Sequence, residues 1–467
     1  MRVERFQGTS VNGYLNFDIE FFDDLTFVTG INGSGKTTAL NCIFSLLMPR
    51  LDYLNDQQFS EISVDISTKE NETVRLKAIR TSDTTEITSS LSKDEKLTIP
   101  FIEHDDSFIS YQAREREVEF YQGILERNRE NPVLDFILSL PTPMYLGLDR
   151  RVLSNDEERD AYNYRRRSRT RPTRRNVFGR SLGESLEEAL EFAQDSFRQT
   201  LKEKSSLDVS FKEELVVTLL DFSPILFSGD LSPPSAAEIR SLEAAKKHIK
   251  ALPNLLKINN DKIFEKIEPL FAHLDKTISE IEKYKSIKNN KKRKKDDLTE
   301  SVDRLSEIEA ILSWNYNKTH LWKLQKLSKQ IAEYNKKSDE IFSKTNRFLD
   351  ALNSFMEDSG KKIRFNDLGE LVFAQSHDGK NWQLKSLSSG EIQMIVILTH
   401  LHFNPEVENA NIFIIDEPEL SLHVQWQEKF IDEIITASTN IQFILATHSP
   451  SIILDRVNKC KDISITE

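Results

Sequence analysis

The segment Gly30-Ile31-Asn32-Gly33-Ser34-Gly35-Lys36-Thr37 constrains this chain more than any other. Its spacing is G-x-x-x-x-G-K-[ST], and it stands where that spacing has physical meaning. Upstream, LNFDIEFF (15–22) and LTFVTG (25–30) put apolar residues at every second position and read as strands. Downstream, residues 36–48 read as a helix stopped near Pro49. A glycine-rich turn between strand and helix lets several backbone N–H groups point at one anion, and the helix adds the positive end of its dipole. Phosphate binding is the expected chemistry. The loop Gly30, Asn32, Gly33, Ser34, Gly35 and Thr38 cradles phosphate oxygens, Lys36 bridges the outer phosphates, and the Thr37 hydroxyl ligates Mg2+. A chance glycine turn would have to coincide with both flanking elements.

The rest of the chain divides by pattern. EISVDIS (61–67) and TVRLKAIR (73–80) alternate as antiparallel strands, and MYLGL (144–148) reads as a buried strand. Residues 151–180 are polar and Arg-rich, and amphipathic helical stretches run from 181 to about 250. From 261 to 355 apolar residues recur at spacings of three and four around NNKKRKKDD (289–297). This predicts an antiparallel helical hairpin with that segment at its tip, in arms of about 45 Å. After 360, KIRFND and ELVFAQS predict a hairpin turning near Leu368–Gly369, and strand, helix and strand then alternate, which suggests a parallel sheet. The domain expectation is an α/β head split over 1–150 and 360–467, with a helical arm inserted at 151–359.

Three further segments carry chemistry. Asn411-Ile-Phe-Ile-Ile-Asp-Glu417 is a continuous apolar strand ending in two carboxylates, and the carboxyl end of such a strand is where parallel sheets place ligands. Asp416 is expected to hold Mg2+ through water, and Glu417 to orient or deprotonate an attacking water. Leu387-Ser-Ser-Gly-Glu391 precedes a helix, so Ser388, Ser389 and Gly390 can offer free N–H groups to an anion. The plainer alternative is a capping box of Ser388 with Glu391. Thr447-His-Ser-Pro450 follows the apolar strand IQFILA, where His448 is either a γ-phosphate sensor or a turn histidine.

The order LSSGE, IIDEPELSLH, ATHSP after the phosphate loop resembles the ABC-type P-loop ATPase heads of the RecF and SMC group. EPELSLH with ATHSP is similar to the subgroup that includes OLD-type nucleases and the phage-defence ATPases of Septu and retron systems. The resemblance covers 1–150 and 360–467. It implies an ABC-type head, namely a mixed β-sheet with flanking helices and an antiparallel β subdomain, carrying an inserted α-helical, coiled-coil arm. It implies ATP and Mg2+ as cofactors and two heads sandwiching the nucleotide. Lys36, Thr37 and Asp416 then serve their own head, and Ser388, Ser389, Gly390 and Glu391 serve the opposing one. Glu417 becomes the catalytic base, Glu419 to His423 the loop that communicates across the dimer, and His448 the switch histidine. The glutamine such families carry before the arm is assigned to Gln112, with a plain surface glutamine as the alternative. Arg150 is either near the nucleotide or in an end-of-strand ion pair. LSSGE in place of the transporter-like LSGGQ excludes a transporter component.

Composition narrows the setting. Lys plus Arg is 63 against 75 Asp plus Glu, a net charge of −12 that argues against indiscriminate nucleic-acid binding. Local basic sites remain: Arg165–Arg175 holds seven Arg in eleven positions, and 291–295 reads KKRKK. The first suits nucleic acid, a nucleotide-like ligand, an acidic partner surface or mere solvation, and the second a solvated tip. Charged residues at 30% fit long solvated helices, and 28 Phe argue against disorder. No run of about 18 apolar residues predicts a membrane helix. MRVERFQG lacks the core of a secretory signal, and Cys42 and Cys460 form no framework, so a reduced, cytoplasmic protein is expected. His400 and His402 read as packing or surface residues.

OLD-type nucleases continue into a metal-dependent Toprim domain, whereas Pro450 lies close to the end of this sequence. The expected function is therefore an ATPase of an anti-phage defence complex, like PtuA of Septu or its retron-associated counterparts. It would work as a homodimer of heads or a higher even-numbered oligomer and control a partner HNH nuclease, PtuB-like. The alternatives are a RecF-like DNA repair or recombination ATPase and a nucleotide-dependent scaffold with negligible turnover.

Overall fold

The computed structural model describes residues 1–48, 51–68, 72–101, 120–141, 143–147, 152–153, 182–221, 231–256, 260–289, 297–375, 379–404, 407, 412–438 and 440–463. Gln112, Arg150, Arg165–Arg175 and 291–295 lie outside the described residues.

In chain order the strands are β1 (Arg2–Val11), β2 (Leu15–Glu20), β3 (Leu25–Thr29), β4 (Glu61–Ser67), β5 (Thr73–Arg80), β6 (Thr84–Ser89), β7 (Ser92–Pro100), β8 (Met144–Leu146), β9 (Val152–Leu153), β10 (Lys361–Phe365), β11 (Leu371–Gln375), β12 (Asn381–Trp382), β13 (Ile412–Asp416), β14 (Gln442–Ala446) and β15 (Cys460–Asp462). The chain divides into two compact units, Met1–Arg198 with Thr345–Glu467, and Gln199–Lys344.

The first unit is an α/β head. Its central sheet has the order β15-β3-β14-β13-β8-β9, and every pairing in it is parallel except β8 with β9. The strand that enters the phosphate loop therefore lies beside the histidine strand, which lies beside the acid strand. β13 and β14 are buried on both faces, which is why IFIID and QFILA read as unbroken apolar runs. The second sheet, β2-β1-β4-β5-β6-β7, is antiparallel throughout. In β2 the pattern alternates strictly, with Leu15, Phe17 and Ile19 inside and Asn16, Asp18 and Glu20 outside. A third sheet, β10-β11-β12, contains the anticipated hairpin.

Gln442 joins the two large sheets. Its Oε1 accepts from the Val3 amide at 2.8 Å, and its Nε2 donates to the carbonyls of Val3 and Phe22, both at 2.8 Å. A fully buried amide side chain needs such partners, and here it fixes the base of β14 against β1.

Among the strands that the sequence reading did not delimit are β1, β9, β12 and β15. In β1 the register shifts between Val3 and Arg5 and again between Gly8 and Val11, so its apolar residues do not keep a period of two. β15 is three residues long, Cys460-Lys461-Asp462, and carries no apolar pattern at all.

The second unit is a helical arm built from parts of four helices, Leu182–Leu219, Ala236–Leu256, Asn260–Asn289 and Asp297–Met356. They share a core around the fully buried Trp314, with Phe211, Leu242, Ile249, Leu274, Leu324 and Ile331. The last helix runs on through 60 residues, about 90 Å. The arm is thus a multi-helix bundle and thicker than a bare two-helix hairpin. The ends of its first and last helices, 182–198 and 345–356, place Leu186, Phe192, Phe348 and Phe355 in the core of the head. No helix among the described residues is long and apolar enough to cross a membrane.

Candidate functional site

The central sheet aligns three chain segments at one edge. Asp416 is level with Ala446 on β14, and Ala446 is level with Val28 on β3. The residues that follow are Glu417, Thr447-His448 and Thr29-Gly30, so the phosphate loop, both acids and the histidine share the carboxyl edge of adjacent parallel strands.

The loop has the conformation its glycines permit. Gly33 and Gly35 adopt φ of +86° and +89°, and helix Lys36–Leu47 starts directly after Gly35. Gly35 is also sterically required, since a Cβ there would lie 2.7 Å from Leu15 Cδ1 and 2.8 Å from Phe17 Cζ. The antiparallel sheet therefore presses on the first turn of the helix. Asn32 and Gly33 are exposed, whereas Ser34 is buried with its Oγ unpartnered among the described residues. Thr37 and Thr38 stand in the first helical turn.

Lys36 is buried and turned back on its own loop. Its Nζ lies 3.1 Å from the Gly30 carbonyl, 3.4 Å from that of Ile31 and 2.5 Å from His448 Nε2. The same Nε2 is 3.2 Å from Glu417 Oε1. Burial and the Lys36 charge push the His448 pKa below its ordinary value. Asp416 is buried, and its carboxylate oxygens accept no hydrogen bond of normal geometry among the described residues. Burial raises its pKa, opposed by the nearby Thr37 hydroxyl and Lys36. Glu417 is pushed further, to about 7, by burial first and by the Glu419 carboxylate second. Its backbone stands at φ +48°, ψ +60°, a left-handed conformation uncommon for a residue with a Cβ.

These features suit a metal-bound polyphosphate. A buried carboxylate without donors costs free energy unless a cation or water completes it. The backbone turn beside it presents N–H groups to an anion. The residues present therefore fit ATP with Mg2+.

The LSSGE segment forms a helix N-terminus. Ser388 caps helix Ser389–Phe403, its Oγ accepting from the Glu391 amide at 3.4 Å while Glu391 Oε2 accepts from the Ser388 amide at 2.7 Å. Glu391 Oε1 accepts from Lys361 Nζ at 2.6 Å. Burial alone would raise this carboxyl, but Lys361 and Ser388 hold it below the ordinary range. The Glu391 side chain is thus occupied within its own chain, while Ser388 and Ser389 are exposed. Gly390 is buried against the loop after the acids, where a Cβ would come within 2.3 Å of the Ser421 carbonyl oxygen.

Sequence reasoning missed two glutamines. Gln393 donates from Nε2 to the Pro418 carbonyl at 3.5 Å. Gln427 donates to the Leu422 carbonyl at 2.9 Å and accepts from Ser449 Oγ at 2.6 Å. The signal was present, because Gln427 shares a helix face with the buried Phe430, Ile431 and Ile434. His400 and His402 pack as expected, His400 edge-on to Phe192 and His402 against Phe348. Burial pushes the Cys42 thiol up to about 12, so it is an inert core residue.

The chain is similar in part to known proteins. Over 159 residues the chain is 28% identical to the Retron Vc95 probable ATPase of Vibrio cholerae, a match covering 32% of this chain and 31% of that protein. Over 75 residues it is 33% identical to the Retron Ec83 probable ATPase of Escherichia coli, covering 14% of each. The chain thus spans a third or less of the length of these relatives. Among solved structures, an Smc head domain with an extended coiled coil from Pyrococcus furiosus aligns with 97% of this chain and 90% of its own, at a TM-score of 0.37 and 13% identity. A second, from Pyrococcus yayanosii, covers 97% and 93% at a TM-score of 0.36 and 14% identity. A model of the AAA ATPase domain matches residues 12–453, nearly the whole chain, and to that family the protein belongs.

Proposed function

We propose that this chain is the ATP-binding and ATP-hydrolysing subunit of an anti-phage defence complex. In this reading it is an ABC-type ATPase like PtuA of Septu systems that controls a PtuB-like HNH nuclease through nucleotide-dependent pairing of heads. The observation that carries the ATPase reading is the convergence of Lys36, Asp416, Glu417 and His448 at one edge of the central sheet. The defence setting is supported by the local similarity to the two retron ATPases and by the EPELSLH and ATHSP segments.

The residues divide the work by position. The backbone of Gly30–Thr38 would hold the phosphates, and Thr37 and Asp416 would hold Mg2+, which would supply neutralisation of phosphate charge. Lys36 exchanges the carbonyls of Gly30 and Ile31 for phosphate oxygen. Glu417 takes the proton of the attacking water on a carboxylate oxygen, and a pKa of about 7 suits a base working near neutrality. His448, held beside Lys36, senses the outer phosphate through Nε2. Ser388, Ser389 and Gly390 meet the nucleotide of a second head.

Lys36→Ala should abolish ATP binding in equilibrium dialysis, and Glu417→Gln should trap an ATP-dependent head dimer on size-exclusion chromatography. Unchanged ATP affinity in Lys36→Ala would overturn the site. Co-expression with a neighbouring HNH-encoding gene tests the partner. DNA cleavage by the ATPase alone would contradict the placement of the nuclease in a separate chain. A steep salt dependence of binding to DNA or RNA, lost when the arginines of Arg165–Arg175 become serine, would add a nucleic-acid role for that segment.

A further inference from the structure

The short segment after the acids is tied to the histidine loop of the same chain more tightly than a loop reserved for a second subunit requires. Glu419 Oε1 accepts three hydrogen bonds from consecutive residues, the Thr447 hydroxyl at 2.7 Å, the His448 amide at 2.8 Å and the Ser449 amide at 3.0 Å. Thr447 Oγ1 in turn accepts from the Ser449 amide at 3.0 Å. Gln427 makes a second tie, holding the Leu422 carbonyl with one end of its amide and the Ser449 hydroxyl with the other. On the opposite side the same segment touches helix Ser389–Phe403, called the signature helix below, with Ser421 packed on Gly390 and Pro418 receiving Gln393.

From this arrangement we infer that Glu419 is a positioning residue whose carboxylate sets the height of His448, and that Pro418–Leu422 is a rigid bracket linking the start of the signature helix to the histidine in cis. The inference rests on the proposed ATPase site and adds a route by which contact at the signature helix reaches it. A carboxylate that accepts from two successive backbone amides fixes the peptide plane between them, and so the direction in which the His448 ring leaves the chain. The ring then places Nε2 between Lys36 and Glu417, at 2.5 Å and 3.2 Å. The reach of Nε2 is thus set from behind by Glu419, not by packing of the exposed turn. Glu419 touches neither nucleotide nor water in this scheme.

The test separates this role from the site assignment. In the full-length, nucleotide-free protein, Glu419→Ala should speed hydrogen exchange at the His448 and Ser449 amides by at least about tenfold while leaving β13 protection unchanged. In steady-state ATPase assays kcat should fall between about 10- and 100-fold, the scale of a displaced catalytic group, with KM for ATP within about threefold. Glu419→Gln keeps one acceptor oxygen for both amides and should restore their protection, and most of kcat when assayed above about pH 8, where Glu417 is ionised with or without the Glu419 charge. Thr447→Val is nearly isosteric and removes one donor of the three, so it gives a graded version of the same result if Glu419→Ala does not fold. Unchanged exchange at both amides, or a raised KM with kcat intact, would overturn the inference. Altered exchange at 448–449 in a protein without ATPase activity would instead leave the bracket standing and refute the proposed function.

Discussion

Glu417 offers the sharpest check on the electrostatics, because its effect on stability must change with pH in a defined direction. Its carboxyl is pushed from 4.5 to about 7 by burial and by Glu419. In the folded state it holds its proton more tightly than in the unfolded chain. Below pH 4.5 both states are protonated and the residue has no net effect. As pH rises from 4.5 towards 7 the unfolded chain loses the proton first, so the folded state is progressively disfavoured, and above 7 the full cost remains. At about 1.4 kcal/mol for each tenfold step the ceiling is about 3 kcal/mol. With 15% of the side chain exposed and Lys36 nearby, about 2 kcal/mol is the working figure. Glutamine keeps the shape and cannot ionise. Urea titrations of the ligand-free wild type and Glu417→Gln, without Mg2+, should coincide near pH 4.5 and diverge by about 2 kcal/mol at pH 8, with the variant more stable. A variant equally or less stable at pH 8 would show that the carboxylate is not strained, and would remove the physical basis for a base poised near neutrality.

Three other perturbations follow from the same geometry. Gln442→Leu strands the Val3 amide and the carbonyls of Val3 and Phe22, which should cost about 3–5 kcal/mol and lower the melting temperature of the head in calorimetry. A loss under about 1 kcal/mol would mean that the two sheets are held by packing alone. Gly390→Ala drives a methyl to 2.3 Å from the Ser421 oxygen. It should cost about 1–3 kcal/mol and reduce ATP turnover, whereas wild-type activity and stability would exclude so close a contact. Gly35→Ala meets Leu15 and Phe17 at 2.7 and 2.8 Å as well as a φ of +89°, so ATP binding should be lost while the helical arm keeps its circular dichroism.

How much of this was legible depended on period and on partners. β13 and β14 announced themselves because burial on both faces demands an unbroken apolar run, and β2 did so because burial on one face demands alternation. β1 did not, since its two register shifts move the apolar phase partway along the strand. The phosphate loop was readable because its glycines are needed locally. Gly390 could be flagged only as part of a motif, for the atom that excludes a Cβ belongs to Ser421, thirty-one positions away in the chain. Glu419 was assigned to contact with a second head, and its bonds to Thr447, His448 and Ser449 depend on β13 and β14 being neighbours. The alternation of strand, helix and strand anticipated that the acid and histidine strands are neighbours, but not which carboxylate oxygen meets which amide. The seam spacings of 261–355 indicated a helical hairpin and 181–250 amphipathic helices, but not that all four helices close around Trp314.

Several departures from ordinary local rules in the head meet at the candidate site, and their convergence supports a functional reading beside the motifs. Among the described residues, Asp416 is a buried carboxylate whose oxygens accept no hydrogen bond of normal geometry, Glu417 occupies a left-handed backbone conformation, and Glu419 leaves one buried oxygen unpartnered. Gly390, which tolerates no Cβ, packs on the same segment. Each departure destabilises the folded chain, and the surrounding core of β13, β14 and the signature helix carries the cost. Selection for stability alone would replace Asp416 with an apolar residue, as at Ile412–Ile415 just before it. A carboxylate kept there, near a lysine held by carbonyls, is completed by a cation, and the glycine-rich turn and Lys36 by an anion. The two together match the metal-bound polyphosphate proposed above. This pairing predicts that ATP and Mg2+ each bind at least tenfold more weakly alone than in company, a comparison that isothermal titration with either component omitted would decide.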